Sequence, residues 1–186
     1  METTLRKEAT KTKWTLDISH SELSFKVRHM MITNVKGSFE KFDASVISKG
    51  ADFSEAEIDV TIDAASIHTG DEQRDGHLKS ADFFEVDKFP SLSFKGTSLR
   101  KVDEEEYELK GILEIKGVKK EVVLEVEFGG INKDPWGNEK AGFSVEGKIN
   151  RKDFGLSWNA ALETGGVLVS EEVKISAEVQ FVKQVG

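Results

Sequence analysis

The chain reads as an all-β domain, an extended antiparallel barrel of about eight strands with one short helix between two of them. Three observations predict it. Apolar and polar residues alternate strictly along segment after segment, as in Ala56-Glu57-Ile58-Asp59-Val60-Thr61-Ile62-Asp63-Ala64, which turns one face of a strand inward and the other to water. There are only two prolines, and glycines fall at the corners between segments. Strands of this length leave unpaired edges, and closing the sheet on itself removes them, which favours a barrel over a sandwich. The outward positions carry Glu and Lys of both signs, unlike the apolar outer band and aromatic girdles of a transmembrane barrel.

The elements follow in order. Leu23, Phe25, Val27 and His29 share one face of a strand, and Phe42, Ala44 and Val46 share another after Phe39 falls out of phase; the slip, beside Gly37, predicts a bulge or sharp bend. After the strand at 56–64 comes the one long interruption, from Ser66 to Phe94, with two of the four histidines and four of the twelve phenylalanines. Thr69 and Glu72 have capping-box spacing, which predicts a short helix over 70–79, with Gly76 counting against it. On that helix Arg74 lies three residues from His77 and four from Leu78, so all three share a side toward the barrel mouth. Strands resume with Leu92-Phe94-Gly96, Tyr107 to Ile115, and Val122 to Phe128. A turn at Asp134-Pro135-Trp136-Gly137-Asn138 precedes the strand Ala141 to Ile149. A glycine-ended loop over 159–166 leads to the last strand, Val173 to Phe181.

A length of 186 residues suits one domain, divided here into a polar N-terminal extension over 1–13 and a barrel over 14–183. The net charge of −8, with acids and bases interleaved, disfavours nucleic acid or an anionic membrane as the main partner. No stretch approaches the roughly 20 apolar residues of a membrane helix, so no stable membrane insertion is expected. The first residues are polar and of mixed charge rather than signal-like, which predicts a cytoplasmic protein. The chain has no cysteine, hence no disulfide, thiolate metal site or cysteine nucleophile. Its four histidines show no His-x-x-x-His spacing, so no metal is expected. No Gly-x-Ser-x-Gly elbow occurs, and the glycine pairs at 129–130 and 165–166 lack the Lys-Ser/Thr of a phosphate loop. Ser19 and His20, adjacent on a strand, would point to opposite faces and not act as a pair.

An ordered set of short motifs adds to this reading. Trp14-x-x-Asp17 with His20-Ser21, Phe25-x-Val27-x-His29, Gly37-x-Phe39, Ser66-Ile67-x-Thr69, Arg74-Asp75-x-His77-Leu78, Asp82-Phe83-Phe84, Phe89-Pro90-x-Leu92-x-Phe94, Gly111-x-Leu113-x-Ile115-x-Gly117 and Arg151-x-Asp153-Phe154-Gly155 resemble the YceI-like family. The resemblance runs from about Trp14 to Phe181. It implies an extended, lipocalin-like antiparallel barrel that binds a polyisoprenoid lipid in its lumen, without a further cofactor. Many members carry an export signal, from which this chain departs.

An eight-stranded barrel is either filled by side chains or holds one ligand. The residues expected to line the lumen are Phe25, Val27, His29, Phe39, Phe42, Ile67, Leu78, Phe83, Phe84, Phe94, Phe143 and Trp158. Arg74 and His77, with Arg151 as a third, are the head-group candidates, because guanidinium suits a pyrophosphate and histidine can donate to a phosphate or a quinone carbonyl. In the competing reading Arg74, Asp75 and His77 only tie the helix to the rim. The function expected is noncatalytic binding, sequestration or transport of an isoprenoid quinone or polyprenyl phosphate. Two alternatives stand beside it: a filled, stress-related barrel whose partner is another protein, and an enzyme using His77 on a bound lipid. A homodimer is expected without an assigned interface.

Overall fold

The computed structural model describes residues 11–30, 32–156 and 169–184. The loop expected over 159–166 and Trp158 lie outside them. Eleven strands form one antiparallel sheet: β1 (Lys11–Leu16), β2 (Glu22–His29), β3 (Thr33–Phe39), β4 (Phe42–Lys49), β5 (Asp52–Asp63), β6 (Ile67–His68), β7 (Ser91–Lys101), β8 (Glu106–Ile115), β9 (Val118–Lys133), β10 (Glu139–Asn150) and β11 (Val169–Lys183). The helix α1 (Glu72–Lys79) stands between β6 and β7.

The eight strands β1-β4-β5-β7-β8-β9-β10-β11 form a ring that β1 and β11 close. The other three continue ring strands past a break. A 3-10 turn over Ile18–His20 separates β1 from β2, Glu40 and Lys41 separate β3 from β4, and a second 3-10 turn over Ala64–Ser66 separates β5 from β6. β2 then pairs with β11 and β3, and β3 with β6. The result is the expected up-and-down barrel, with three strands bent rather than continuous.

The expected slip near Gly37 falls at Glu40-Lys41 instead, where two residues between strands let Phe39 and Phe42 both face inward. Gly37 answers to packing: a Cβ there would run into the Phe25 ring, and a Cβ on Gly111 would run into the Phe94 ring and lie 2.6 Å from the Lys95 carbonyl oxygen. Local turn chemistry fixes the register of two hairpins. Lys116 and Gly117 take φ of 54° and 77°, the left-handed pair that joins antiparallel strands in two residues. In the 134–138 turn the Asp134 carboxylate accepts from the backbone N–H of Trp136 and of Asn138, both at 2.9 Å.

One end of the barrel is plugged by aromatic rings. Trp14 and Phe53, each 1% exposed, lie 5.4 Å apart between ring centres. Phe53 packs on Phe128 and Phe143 at 5.2 and 5.1 Å, and Phe143 on Phe181 at 6.0 Å. The buried Trp14 indole N–H donates to Ser48 Oγ at 2.9 Å, so the plug carries no unpaired donor there.

Charge clamps the seam on the outside. Asp17, next after β1, accepts from Lys140 Nζ of β10 at 2.8 Å, across the intervening β11, and from Ser19 Oγ at 2.7 Å. His20 Nδ1 lies 2.9 Å from Oδ2, the oxygen that also accepts from Lys140. The Lys140 ammonium first, with Ser19 and His20, holds the Asp17 carboxyl far below the usual carboxylate range, while Asp17 raises Lys140.

Two outcomes follow for unfolding experiments. Gly111→Ala should lose about 1–3 kcal/mol in urea denaturation through overpacking against Phe94 and Lys95, whereas Gly142→Ala, whose added Cβ meets nothing within 4 Å, should stay within about 0.5 kcal/mol of wild type. Because the Asp17 pKa is depressed on folding, its stabilisation is present above the unfolded value, about 3.9, and disappears as pH falls toward the lower folded value. Asp17→Asn should therefore cost about 1–3 kcal/mol near pH 7 and make the acid limb of stability against pH shallower.

Candidate ligand-binding site

Alternation puts the inward residues of every ring strand against one space. Above the aromatic plug the lumen holds a cavity of about 820 Å³. Its wall is apolar, part aromatic and part aliphatic, with Ile58, Val60 and Ile62 of β5, Leu109 and Leu113 of β8, Leu124 of β9 and Ile175 of β11 among the aliphatic residues. At the end away from the plug, polar groups enter the lining: Thr69, Asp71, Gln73, Arg74 and His77, all on or beside α1, together with Arg151. The site is an apolar pocket under a polar lid.

The lid is held by a compact network. Asp71, not Thr69, caps α1, its carboxylate accepting from the Arg74 N–H at 3.1 Å. Thr69 is drawn instead to Asp75, which is 9% exposed and accepts from the Thr69 N–H at 2.9 Å and from its hydroxyl. Arg74 Nε donates to Thr69 Oγ1 and Nη2 to the Thr69 carbonyl, both at 2.8 Å. Arg74 Nη1 has no hydrogen bond among the described residues, so the guanidinium both ties the lid and keeps a donor edge at the lining. His77 Nε2 sits 2.9 Å from Asp82 Oδ2, and Phe83 meets its ring edge-on at 5.1 Å. Beneath the lid Phe84 packs edge-on against Phe39 at 5.8 Å, and Phe39 against Phe25 at 5.7 Å.

Of the residues expected at the lumen, Phe25, Val27, His29, Phe39, Phe42, Leu78, Phe83, Phe84, Phe94 and Phe143 all line the cavity. Ile67 does not: it is buried in the core beneath the 3-10 turn that precedes β6. Arg74, His77 and Leu78 do share the lumen side of α1. Arg151 reaches the lining but is only 3% exposed, and its guanidinium donates to the backbone carbonyls of Ser170, Val169 and Leu156. Burial lowers its pKa, and its hydrogen bonds tie the turn after β10 to the start of β11. Thr69, Asp71 and Gln73 were not expected at the rim. The capping-box spacing absorbed Thr69, and a short polar run on a weakly patterned helix carries no signal of which side it shows.

Ser19 and His20 also depart from expectation. They sit on a 3-10 turn rather than a strand, and Ser19 Oγ comes within 3.3 Å of His20 Nδ1. Asp17 and Ser19 both approach that same nitrogen, whereas a nucleophilic relay needs them on opposite ring nitrogens. Among the described residues no group of three or more His, Asp and Glu is placed to hold a metal ion.

A closed antiparallel barrel with an apolar internal cavity and a helical lid is a lipocalin-like barrel. The chain belongs to the YceI-like family, whose domain model matches residues 14–181. It is 42% identical over 171 residues to UPF0312 proteins of Staphylococcus aureus strains N315 and MSSA476, covering 91% of this chain and 97% of theirs. The YCEI protein of Campylobacter jejuni, 35% identical, superposes with a TM-score of 0.73 over 85% of this chain and 90% of its own. Two more distant structures share the fold: BcnA of Burkholderia cenocepacia, at 24% identity and TM-score 0.76 over 89% of this chain and 98% of its own, and a polyisoprenoid-binding domain from Saccharophagus degradans, at 17% and 0.65 over 92% and 98%.

Asp75→Ala should lower stability by about 1–3 kcal/mol, because it strips the Thr69 N–H and hydroxyl of their acceptor. Amide hydrogen exchange over 72–79 should accelerate while the β8 and β9 amides stay protected.

Proposed function

We propose that this protein binds a long isoprenoid lipid in the barrel lumen, noncatalytically, with the prenyl chain against the apolar wall and the head group beneath α1. The observation that carries this reading is the cavity of about 820 Å³ with its apolar wall and a polar rim at one end only. That volume lies within the roughly 300–1,000 Å³ of small-molecule sites. The description of the Saccharophagus degradans domain as polyisoprenoid-binding supports the same class of ligand. A filled barrel would leave no space of this size.

Magnitudes agree with a carrier. At roughly −0.3 kcal/mol per heavy atom, a chain of about 30 carbons binds near −9 kcal/mol, an affinity on the order of 10⁻⁷ M. Enclosure of the chain alone supplies this, so the head group selects rather than holds. Arg74 offers a phosphate or pyrophosphate its remaining donor edge, and His77, set by Asp82, offers a hydrogen bond to either a phosphate or a quinone carbonyl.

Native mass spectrometry of protein isolated without detergent, or exposed to a polyprenyl phosphate and an isoprenoid quinone, should show one lipid per chain. Ala177→Trp, placed in the lumen wall, should weaken uptake by about tenfold or more by filling the space the lipid takes. Arg74→Ala should weaken the phosphate more than the quinone. Wild-type protein that takes up neither lipid would sink the reading, and unchanged phosphate affinity in Arg74→Ala would remove the head-group role.

A further inference from the structure

The chain is acidic as a whole, yet one band of its outer wall is basic. Lys148 of β10 stands in register with Lys174 of β11, Lys174 with Lys26 of β2, and Lys26 with Lys36 of β3. Four lysines thus face outward in one row across four adjacent strands, about 14 Å from end to end. None of the four makes an ion pair among the described residues. Other parts of the wall place opposite charges across strands, as Asp59 with Lys95, Arg100 with Glu108 and Glu114 with Lys119, or acids opposite acids, as Glu106 with Glu127. Like charges directly opposite one another destabilise a sheet, so the row is a local cost to the fold.

Its position gives it a direction. An acidic row, Glu108-Glu125-Glu146, lies on the plug side of Lys148. Exposed Arg28 continues the basic surface toward the lid end, with exposed Glu172 beside it on β11. Beyond Arg28 the β2–β3 hairpin ends in exposed apolar residues: Met30, which adopts φ of 52°, and Ile32, which is 72% exposed. A left-handed turn position normally goes to glycine or asparagine. His29, immediately before this tip, lines the cavity.

We propose that the lid end of the barrel docks on an anionic lipid bilayer, with Met30 and Ile32 entering the interface and the lysine row meeting lipid phosphates. Charge complementarity selects this occupant: the row runs across four strands and makes no ion pair among the described residues, which suits a surface of phosphates. An amphipathic tip flanked by basic residues is the arrangement that holds peripheral proteins at a membrane surface. Docking stands on the outer surface alone; its use, passing a lipid between bilayer and lumen beside His29, rests on the lumen reading above.

The test is flotation of the full chain with vesicles of phosphatidylcholine alone or mixed with phosphatidylglycerol, with lipid uptake from detergent-free solution measured in parallel. Binding should occur on the mixed vesicles and vanish near 1 M salt, where the Debye length is about 3 Å. Lys26→Gln with Lys174→Gln should weaken it by about 25-fold, from about fivefold per lysine, at unchanged or higher Tm. Met30→Ser with Ile32→Ser should weaken it by about tenfold. No flotation, equal binding to both vesicles, or indifference to both variants would overturn the proposal, and the row would then be assigned to an acidic protein partner. Uptake without flotation removes docking and keeps the lumen site; flotation without uptake does the reverse.

Discussion

Trp14 with Lys183, Thr15 with Val182 and Leu16 with Phe181 are the three residue pairs that join β1 to β11, and the barrel depends on them. The other ring contacts link strands close together along the chain: β1 meets β4 across the β2–β3 hairpin, β5 meets β7 across β6 and α1, and the rest are consecutive. The β1–β11 contact closes the full length of the domain, the costliest loop entropy in the fold. The wall is reinforced accordingly. Asp17 N–H donates to the Gln180 carbonyl, Gln180 N–H to Ser21 Oγ, and Gln184 N–H to the Lys13 carbonyl, while the Asp17–Lys140 pair spans β11 from outside. Ser24 and Ser176 hydroxyls meet at 2.9 Å further along. With the seam shut no strand of the ring has a free edge, and the inward faces become an interior.

What fills that interior is unequal at its two ends. At the plug, Trp14, Phe53, Phe128, Phe143 and Phe181 pack against one another through tilted and edge-on ring contacts, with Phe128 and Phe143 stacked. Above it, aliphatic side chains of β5, β8, β9 and β11 surround an open space, with Phe25, Phe39 and Phe84 packed beneath the lid. Glycines at 37 and 111 let Phe25 and Phe94 lie flat against the wall rather than across the lumen, so they preserve volume. One alternating pattern thus produces a sealed base and a hollow upper half, which is the shape a long apolar molecule with one polar end requires.

In the lid, the side chains proposed to meet a head group are also the ones that hold the structure together. Arg74 ties Thr69 through two nitrogens and is itself a lining residue, and Asp75 is held by Thr69. The two readings left open from sequence, network and head-group site, are therefore not exclusive. On the outside, charge is segregated rather than averaged: the lysine row lies toward the lid end and the glutamate row toward the plug. A net charge near −8 describes neither face.

The inward face of each expected strand, the turn at Asp134 to Asn138 and the presence of a short helix before β7 were legible in the sequence, whereas β1, read partly as an N-terminal extension, and the breaks that set β2, β3 and β6 apart were not. A period of two and turn chemistry are local properties that neighbouring residues set by themselves. Seven of the twelve expected lining residues, Phe25, Val27, His29, Phe39, Phe42, Phe94 and Phe143, follow from that local rule; Leu78, Phe83 and Phe84 come from the α1 region, and Trp158 lies outside the described residues. Ile67 failed because burial in the core and exposure to the lumen both demand an apolar side chain, and only the position of β6 separates them. Thr69, expected to cap α1, is drawn to Asp75 instead, and Arg151, which does reach the lining, donates to the carbonyls of Leu156, Val169 and Ser170; a polar side chain does not announce its partner, and packing sets these. Where the chain bends, whether the lumen is hollow, and which lysines meet across four strands depend on register between distant segments, which only the closed barrel decides.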